Sequence, residues 1–308
     1  MKRTVLIASL FFLAPAGHAV SDRLSQSLIS DGIGYAQTKD YENALKAFNL
    51  AVERDPESSV AIYNRGIVYY RVDDLPAAVK DFEAACSMGN DGACALVKQL
   101  DKADRQRRGK ASELLEQASR LNADGKPDEA LSLLGDALSA DPSIPQVYYL
   151  EAEIYFRSKK DTDAAIGALD SALKYDPQYA EALCLRGMIY TEIRRYRKAA
   201  PDLKKAAEIS PGLPQVHAAL GDLHMAKKDY ADAVASYVKS LDLNDSQPDV
   251  HYSCGLAYKK VKDPKNAYRQ FARACKLQYR QACGEAAALS SAVASAIAQD
   301  VYEQLDKA

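Results

Sequence analysis

The chain has 308 residues, 48% hydrophobic and 27% charged, a globular balance that excludes both a disordered polymer and a bundle of membrane spans. Its 40 Lys and Arg against 42 Asp and Glu leave a formal net charge of −2, so it carries no basic footprint for nucleic acid.

The first nineteen residues stand apart. Lys2-Arg3 is followed by an apolar run from Val5 to Ala14, then by Gly17 and Ala19 around His18. Basic, apolar and small residues in that order form a secretory signal peptide, with cleavage expected after Ala19. The apolar run is short for a bilayer span, and no Cys near the cleavage point offers a lipid anchor. The expected location of the mature chain is the periplasm, with the extracellular medium as the alternative. No later apolar run is long enough to cross a membrane.

From residue 25 onward the chain repeats itself. A small residue recurs at Gly32, Gly66, Ala118, Ala152, Gly187, Gly221 and Gly255, and an alanine ladder keeps step at Ala44, Ala78, Ala130, Ala165, Ala199, Ala233 and Ala267. The step is about 34 residues, except for one of 52 between Gly66 and Ala118. A fixed period of this size predicts a stacked array of helix-turn-helix units, read as 25–58, 59–92, 111–144, 145–179, 180–213, 214–247 and 248–281. Three places after the small residue stands an aromatic in five units (Tyr35, Tyr69, Tyr155, Tyr190, Tyr258), with Leu121 and His224 in the other two. The second helix carries a large side chain four places after its alanine: Phe48, Phe82, Leu134, Leu169, Leu203, Tyr237, Phe271. Spacings of three and four put these groups on one helical face. Asp55-Pro56, Asp141-Pro142, Asp176-Pro177 and Ser210-Pro211 then stop the second helix, since proline cannot continue it. The 145–179 unit holds one extra residue, expected in the Ser158–Asp161 turn.

The pattern Gly32-x-x-Tyr35 … Tyr41-x-x-Ala44-x-x-x-Phe48 … Asp55-Pro56 resembles the tetratricopeptide-repeat family over nearly all of the chain after residue 24. No Trp is present; Leu28, Ile62, Leu114, Tyr148, Leu183, His217 and His251 stand at the family's tryptophan position. The resemblance implies an all-α, right-handed α-solenoid of about seven units with capping helices.

Four of the six cysteines fall in a repeated phrase: Ala85-Cys86 to Ala93-Cys94, and Ala274-Cys275 to Ala282-Cys283. Each joins the end of a second helix to the start of the next helix, where antiparallel neighbours approach disulfide range, and export would preserve the bond. The spacing is similar to that of disulfide-stapled cousins of the family, which implies Cys86–Cys94 and Cys275–Cys283 links; the bland alternative is small core residues. Zinc is disfavoured because residues 20–216 hold no histidine and a structural site needs four ligands. Cys184 and Cys254 are expected as free buried thiols.

Residues 93–108 read as a helix capping a two-repeat array over 20–100. Residues 101–110 form a charged boundary in which seven of ten residues are charged and Gly109 breaks the helix. A five-repeat array over 111–281 follows. Within 282–308, Leu289, Val293, Ile297, Val301 and Leu305 form a four-residue stripe expected to cap the open end.

The resemblance implies that partners lie along an inner surface formed by the first helices. In the first array that surface is expected to hold Ile29, Ile33, Ala36, Tyr63, Ile67 and Tyr70, an apolar strip suited to a peptide with apolar anchors. Burial by helix crowding is the alternative. In the second array it holds Tyr149, Phe156 and Tyr252 among mixed residues that include Glu153, Glu181, Cys184, Met188, Asp222 and Lys259. The family's grip on the terminal carboxylate of cytosolic chaperones needs a Lys–Asn–Asn–Lys–Arg set, of which only Asn64 is present, read here as a helix-surface or capping residue. His217, His224 and His251 occupy core positions and read as structural. No metal, cofactor or catalytic constellation is expected. The functional expectation is an exported scaffold or adaptor that joins protein segments in the bacterial envelope, in assembly, secretion, or pilus or cell-wall machinery. A secreted recognition factor is the alternative, and a hydrolase using the histidines is a more distant one.

Overall fold

The structure, a computed structural model, describes residues 23–290. The leader with its cleavage point, and the stripe beyond Leu289, lie outside the described residues. Helices follow in order: α1 (Arg23–Gln37), α2 (Tyr41–Arg54), α3 (Ser59–Arg71), α4 (Leu75–Ser87), α5 (Asp91–Ala123), α6 (Pro127–Ala140), α7 (Pro145–Ile154), α8 (Thr162–Tyr175), α9 (Ala180–Glu192), α10 (Tyr196–Ile209), α11 (Pro214–Lys227), α12 (Tyr230–Leu243), α13 (Pro248–Lys260) and α14 (Pro264–Lys276). A further helical stretch occupies 280–290. No strand occurs among the described residues, and the helix pairs stack as an α-solenoid. The chain divides into two compact units, one ending at Arg107 and the other beginning at Arg108.

One contact recurs in every repeat. The small residue of the first helix faces the large residue sixteen places on, or seventeen in the 145–179 unit with its extra residue. A Cβ at Gly32, Gly66, Gly187, Gly221 or Gly255 would lie 2.7, 2.8, 2.6, 2.4 or 2.6 Å from Phe48, Phe82, Leu203, Tyr237 or Phe271 respectively. Where alanine replaces glycine the partner is leucine. Ala118 shares a core with Leu134, and Ala152 with Leu169. The Phe and Tyr partners all face glycine, while leucine faces either glycine or alanine, so the bulkiest side chains meet the barest backbone, as close packing demands.

The turn inside each repeat is built the same way. Lys39, Asp73, Lys160, Arg194, Lys228 and Lys262 all adopt left-handed backbone, with φ between 58° and 68°, a conformation that costs a non-glycine residue roughly 1–2 kcal/mol. The next residue returns a hydrogen bond to the carbonyl of the repeat's aromatic position: Asp40 to Tyr35 at 2.9 Å, Asp74 to Tyr69 at 2.9 Å, Arg195 to Tyr190 at 2.7 Å, Asp229 to His224 at 2.9 Å and Asp263 to Tyr258 at 3.0 Å. That bond closes the helix C-terminus in a Schellman motif. Asp40, Asp74, Asp161 and Asp263 then cap the second helix by accepting from the backbone N–H three residues on.

The extra residue of the fourth repeat sits one turn earlier than expected. α7 continues into a π-turn at Tyr155–Lys159, and the closing bond runs from Asp161 N–H to the Tyr155 carbonyl at 2.9 Å, six residues apart instead of five. A π-turn absorbs one residue without breaking the helix. The following turn keeps its standard form.

The expected helix break at Gly109 is absent. α5 runs 33 residues through it. Gly109 is exposed, and a Cβ there would meet nothing within 4 Å, so nothing in its surroundings opposes helix. The charges form a solvated helix face, with Arg107 paired to Asp104.

The two cysteine phrases end their helices alike. Gly89 and Gln278, each three places after the first cysteine, are left-handed (φ 82° and 69°), and the next residue bonds back to Ala85 or Ala274 at 3.0 Å. The sulfurs of Cys86 and Cys94 lie 1.97 Å apart with Cα atoms 4.7 Å apart; for Cys275 and Cys283 the values are 1.92 and 4.8 Å. Cys184 and Cys254 are free and buried. Non-reducing peptide mapping of the chain is expected to recover both links and to find thiols at Cys184 and Cys254. Four alkylatable thiols at the phrase positions would exclude the links.

Two repeats carry an arginine clamp that the repeat pattern alone does not announce. Arg65 donates Nε and Nη2 to Asp81 at 2.8 Å each and Nη1 to Asn49 at 3.0 Å. Arg186 likewise donates to Asp202 at 2.7 and 2.8 Å, and to Asp170 at 2.6 Å. Each guanidinium thus ties its own helix to the second helices before and after it. Asp81 and Asp202 are buried, 5% and 8% exposed, and removing one partner leaves the other charge uncompensated. Asp202→Ala is expected to lower unfolding free energy by about 2–4 kcal/mol in urea titrations, while Asp170→Ala, at a carboxylate 57% exposed, is expected to cost under about 1 kcal/mol.

A glycine pair tests the packing rule. Gly255→Ala drives a methyl into Phe271 and is expected to lose about 1–3 kcal/mol. Gly167→Ala, in α8 with nothing within 4 Å, is expected to gain about 0.5–1 kcal/mol. Thermal and urea unfolding of both variants checks the opposite signs.

Candidate partner-binding groove

In the first unit the expected apolar strip is largely closed. Tyr63 and Ile67 are 2% and 3% exposed and share a core with Phe82, Ala93 and Leu96. The Tyr63 ring centroid lies 6.0 Å from that of Phe82. These two residues are core, because the start of α5 packs over the face that an open array would present. Tyr70 is half-buried against the same core, and Ile29 and Ile33 are half-buried against Ala36, Phe48 and Val68. Asn64 is fully buried, and neither side-chain amide atom has a hydrogen-bond partner. It holds neither a surface nor a capping place, contrary to expectation, because α3 is enclosed on the side that carries it.

The second unit has an open groove. Its first helices α9, α11 and α13 lie side by side, and with α7 they border a cavity of about 430 Å³. Tyr149 and Glu153 of α7 line it, with Arg157 in the π-turn that follows. α9 adds Glu181, Cys184 and Met188, α11 adds Ala218 and Asp222, and α13 adds Asp249, Val250 and Ser253. Of the second-unit aromatics singled out from sequence, Tyr149 lines the cavity. Phe156 instead packs into the α7–α9 core, and Tyr252 lies between Phe271 and Tyr279, with centroids 5.6 and 5.1 Å away.

Tyr237 reaches this groove from α12, a second helix. Its ring crosses the gap left by Gly221, and its hydroxyl emerges to donate to the Asp222 carboxylate at 2.6 Å. In the sequence it reads only as the large core residue of its repeat. The available signal was a tyrosine in a ladder of Phe and Leu, sixteen places after a glycine and fifteen after an aspartate.

The electrostatics of the groove are one-sided. Four carboxylates (Glu153, Glu181, Asp222, Asp249) face one guanidinium, Arg157, which lies 3.6 Å from Glu153. Desolvation raises the Asp222 pKa, the hydrogen bond from Tyr237 opposes that rise, and the charge of Asp249 adds to it. Burial pushes the Cys184 thiol up to about 12, with Glu181 and Asp222 adding to the rise, so this cysteine stays a neutral thiol rather than a nucleophile. Burial likewise raises the Tyr149 hydroxyl, helped by Glu153 and Tyr179. The carboxylates together make further negative charge in the groove unfavourable.

Two of the described histidines are structural in their contacts. His217 and His251 are each 3% exposed. The His217 Nε2 lies 2.8 Å from the Pro211 carbonyl, and the His251 Nδ1 lies 2.6 Å from the Gln270 amide oxygen. His224 is half-buried and groups with Asp229 and Asp232 within 4.8 Å. The Lys227 ammonium lies 2.8 Å from Asp229.

Residues 32–93, 121–189 and 180–212 each match a tetratricopeptide repeat, and residues 221–262 match a TPR repeat. The chain belongs to the tetratricopeptide-repeat family. Among curated relatives, Hsp70-Hsp90 organizing protein 2 of Arabidopsis thaliana is 24% identical over 62% of this chain and 37% of its own length. Interferon-induced protein with tetratricopeptide repeats 2 of Mus musculus is 26% identical over 63% of this chain and 42% of its own. The chain thus spans less than half the length of these relatives. Among solved structures, Pseudomonas aeruginosa PilF is 22% identical with a TM-score of 0.53, covering 61% of this chain and 90% of that one. A thermophilic TPR protein of Thermus thermophilus is 20% identical with a TM-score of 0.50, over 58% and 98%. At these identities the structural likeness supports the fold. No helix among the described residues is long and apolar enough to cross a membrane.

Proposed function

We propose that this tetratricopeptide-repeat protein is an exported scaffold that holds a segment of an envelope protein in the groove of its second unit. The observation that carries the reading is the open cavity of about 430 Å³ between first helices, in the size range of ligand sites. The corresponding first-unit residues Tyr63 and Ile67 are buried. A groove with Tyr149, Met188 and Val250 on its walls and polar groups at set positions suits a peptide, with apolar anchors for affinity and the polar groups for register. The leader read at residues 1–19 supports export.

The organizing-protein relatives are named for Hsp70 and Hsp90. A grip on a terminal carboxylate requires cations, and the groove here presents carboxylates. The family surface is reused with the opposite sign of charge.

A photocrosslinking amino acid at Met188 or Ser253 of the full-length chain is expected to trap protein adducts in the periplasmic fraction, while the same group at exposed Lys204 of α10 traps none. Adducts confined to the cytosol would end the export reading. Equal yields from all three positions would end the groove reading.

A further inference from the structure

Among the described residues, four carboxylates that bridge between elements are matched by cations. Asp81 and Asp202 have Arg65 and Arg186, Glu285 has Lys259 at 2.7 Å, and Asp245 has Arg273. The groove breaks that habit. Asp222 accepts from the neutral Tyr237 hydroxyl, and among the described residues neither Glu181, Asp222 nor Asp249 is in an ion pair. They stand solvent-exposed along the cavity beside the apolar groups of Tyr149, Met188 and Val250. Charges of one sign on low-dielectric walls concentrate the field in the cleft.

We infer that the groove selects an extended partner segment bearing Lys or Arg, the cationic head lying among Glu181, Asp222 and Asp249 and its aliphatic stem on Tyr149 and Met188. This rests on the groove being the partner site and adds the chemical class of the ligand. Lys and Arg combine a long apolar stem with a charged tip, which is the division of apolar wall and carboxylate that the groove presents. The electron-rich face of a tyrosine ring such as Tyr149 adds a favourable contact for a cation. Tyr237 fixes one carboxylate in advance by its 2.6 Å bond, so less side-chain freedom is lost on binding. A terminal carboxylate or an acidic segment meets the opposite, a repulsive field from the carboxylates of the cleft.

The test uses the full chain and dye-labelled twelve-residue peptides, four repeats of Lys-Ser-Leu, with Gln or Glu in place of Lys as controls, followed by fluorescence anisotropy. The Lys peptide is expected to bind at least about tenfold more tightly than the Gln peptide, the Glu peptide least, with binding weakening as salt rises. Asp222→Asn with Asp249→Asn is expected to remove about tenfold or more of the Lys-peptide affinity and to leave the Gln peptide unchanged. Glu83→Gln, an exposed site on α4, changes neither. The double variant is expected to melt no lower than the parent, because an amide oxygen in place of the Asp222 carboxylate still accepts from Tyr237 and two like charges have gone from the groove. Equal binding of Lys and Gln peptides, or unchanged affinity in the double variant, overturns cation selection while the groove stands. If no peptide binds, or if Met188→Ser and Tyr149→Ala leave binding intact, the groove reading falls with it.

Discussion

The repeat depends on one contact, in which a small residue on the first helix receives a large side chain sixteen residues later. That offset sets how far the second helix returns along the first. The other regular features follow from it. Arg65 meets Asp81 and Arg186 meets Asp202 at the same separation of sixteen, because side chains beside the packing contact share its register. The exception has a cause. Ala152 and Leu169 are seventeen apart, and the π-turn at Tyr155–Lys159 takes up the added residue, so the contact survives the insertion. Helix ends, caps and left-handed turns are arranged so that this register is reached seven times.

Stability and recognition make opposing demands on the same residue types. Within the helix layers a carboxylate is supplied with a guanidinium, since an unpaired buried charge is costly. Along the groove the charges are left to one another. Desolvation, and to a smaller degree the charge of Asp249, holds the Asp222 carboxyl above its ordinary range against the Tyr237 hydrogen bond. Such local conflict is expected where a surface is shaped for something other than folding.

Much of the fold is legible in the sequence because it rests on identities. Glycine, alanine and a large apolar group at fixed spacing have one structural meaning, and a duplicated cysteine phrase points to duplicated geometry. What stays hidden rests on context. The left-handed turn positions hold Lys, Arg and Asp, whose periodicity as turn residues is visible only in the backbone. Gly109 has the identity of a breaker, yet an exposed glycine costs a helix only about 1 kcal/mol, too little to stop one of 33 residues. Tyr63 and Ile67 occupy the positions that face a partner in an open array, and the start of α5 covers them. Asn64 has the character of a surface residue and is enclosed. In the groove, Tyr149, Glu181 and Asp222 follow from the repeat register, which puts them on the inner face. Asp249 stands in the same register as Glu181, six places before its repeat's glycine, and is open to the same reading; the hydroxyl of Tyr237 is not, since its approach depends on how α12 packs.

Tyr237 has a consequence for how this surface can change over time. Its hydroxyl reaches Asp222 only because the preceding residue, Gly221, has no side chain. Were Gly221 to become alanine, the ring would have to give way to something smaller, as in the alanine–leucine pairs at 118 and 134 and at 152 and 169. The groove would then lose its hydroxyl donor, although the glycine itself does not line it. Core packing and ligand chemistry are therefore inherited together at this repeat. A lineage that alters one must renegotiate the other, and the two positions are expected to drift as a pair.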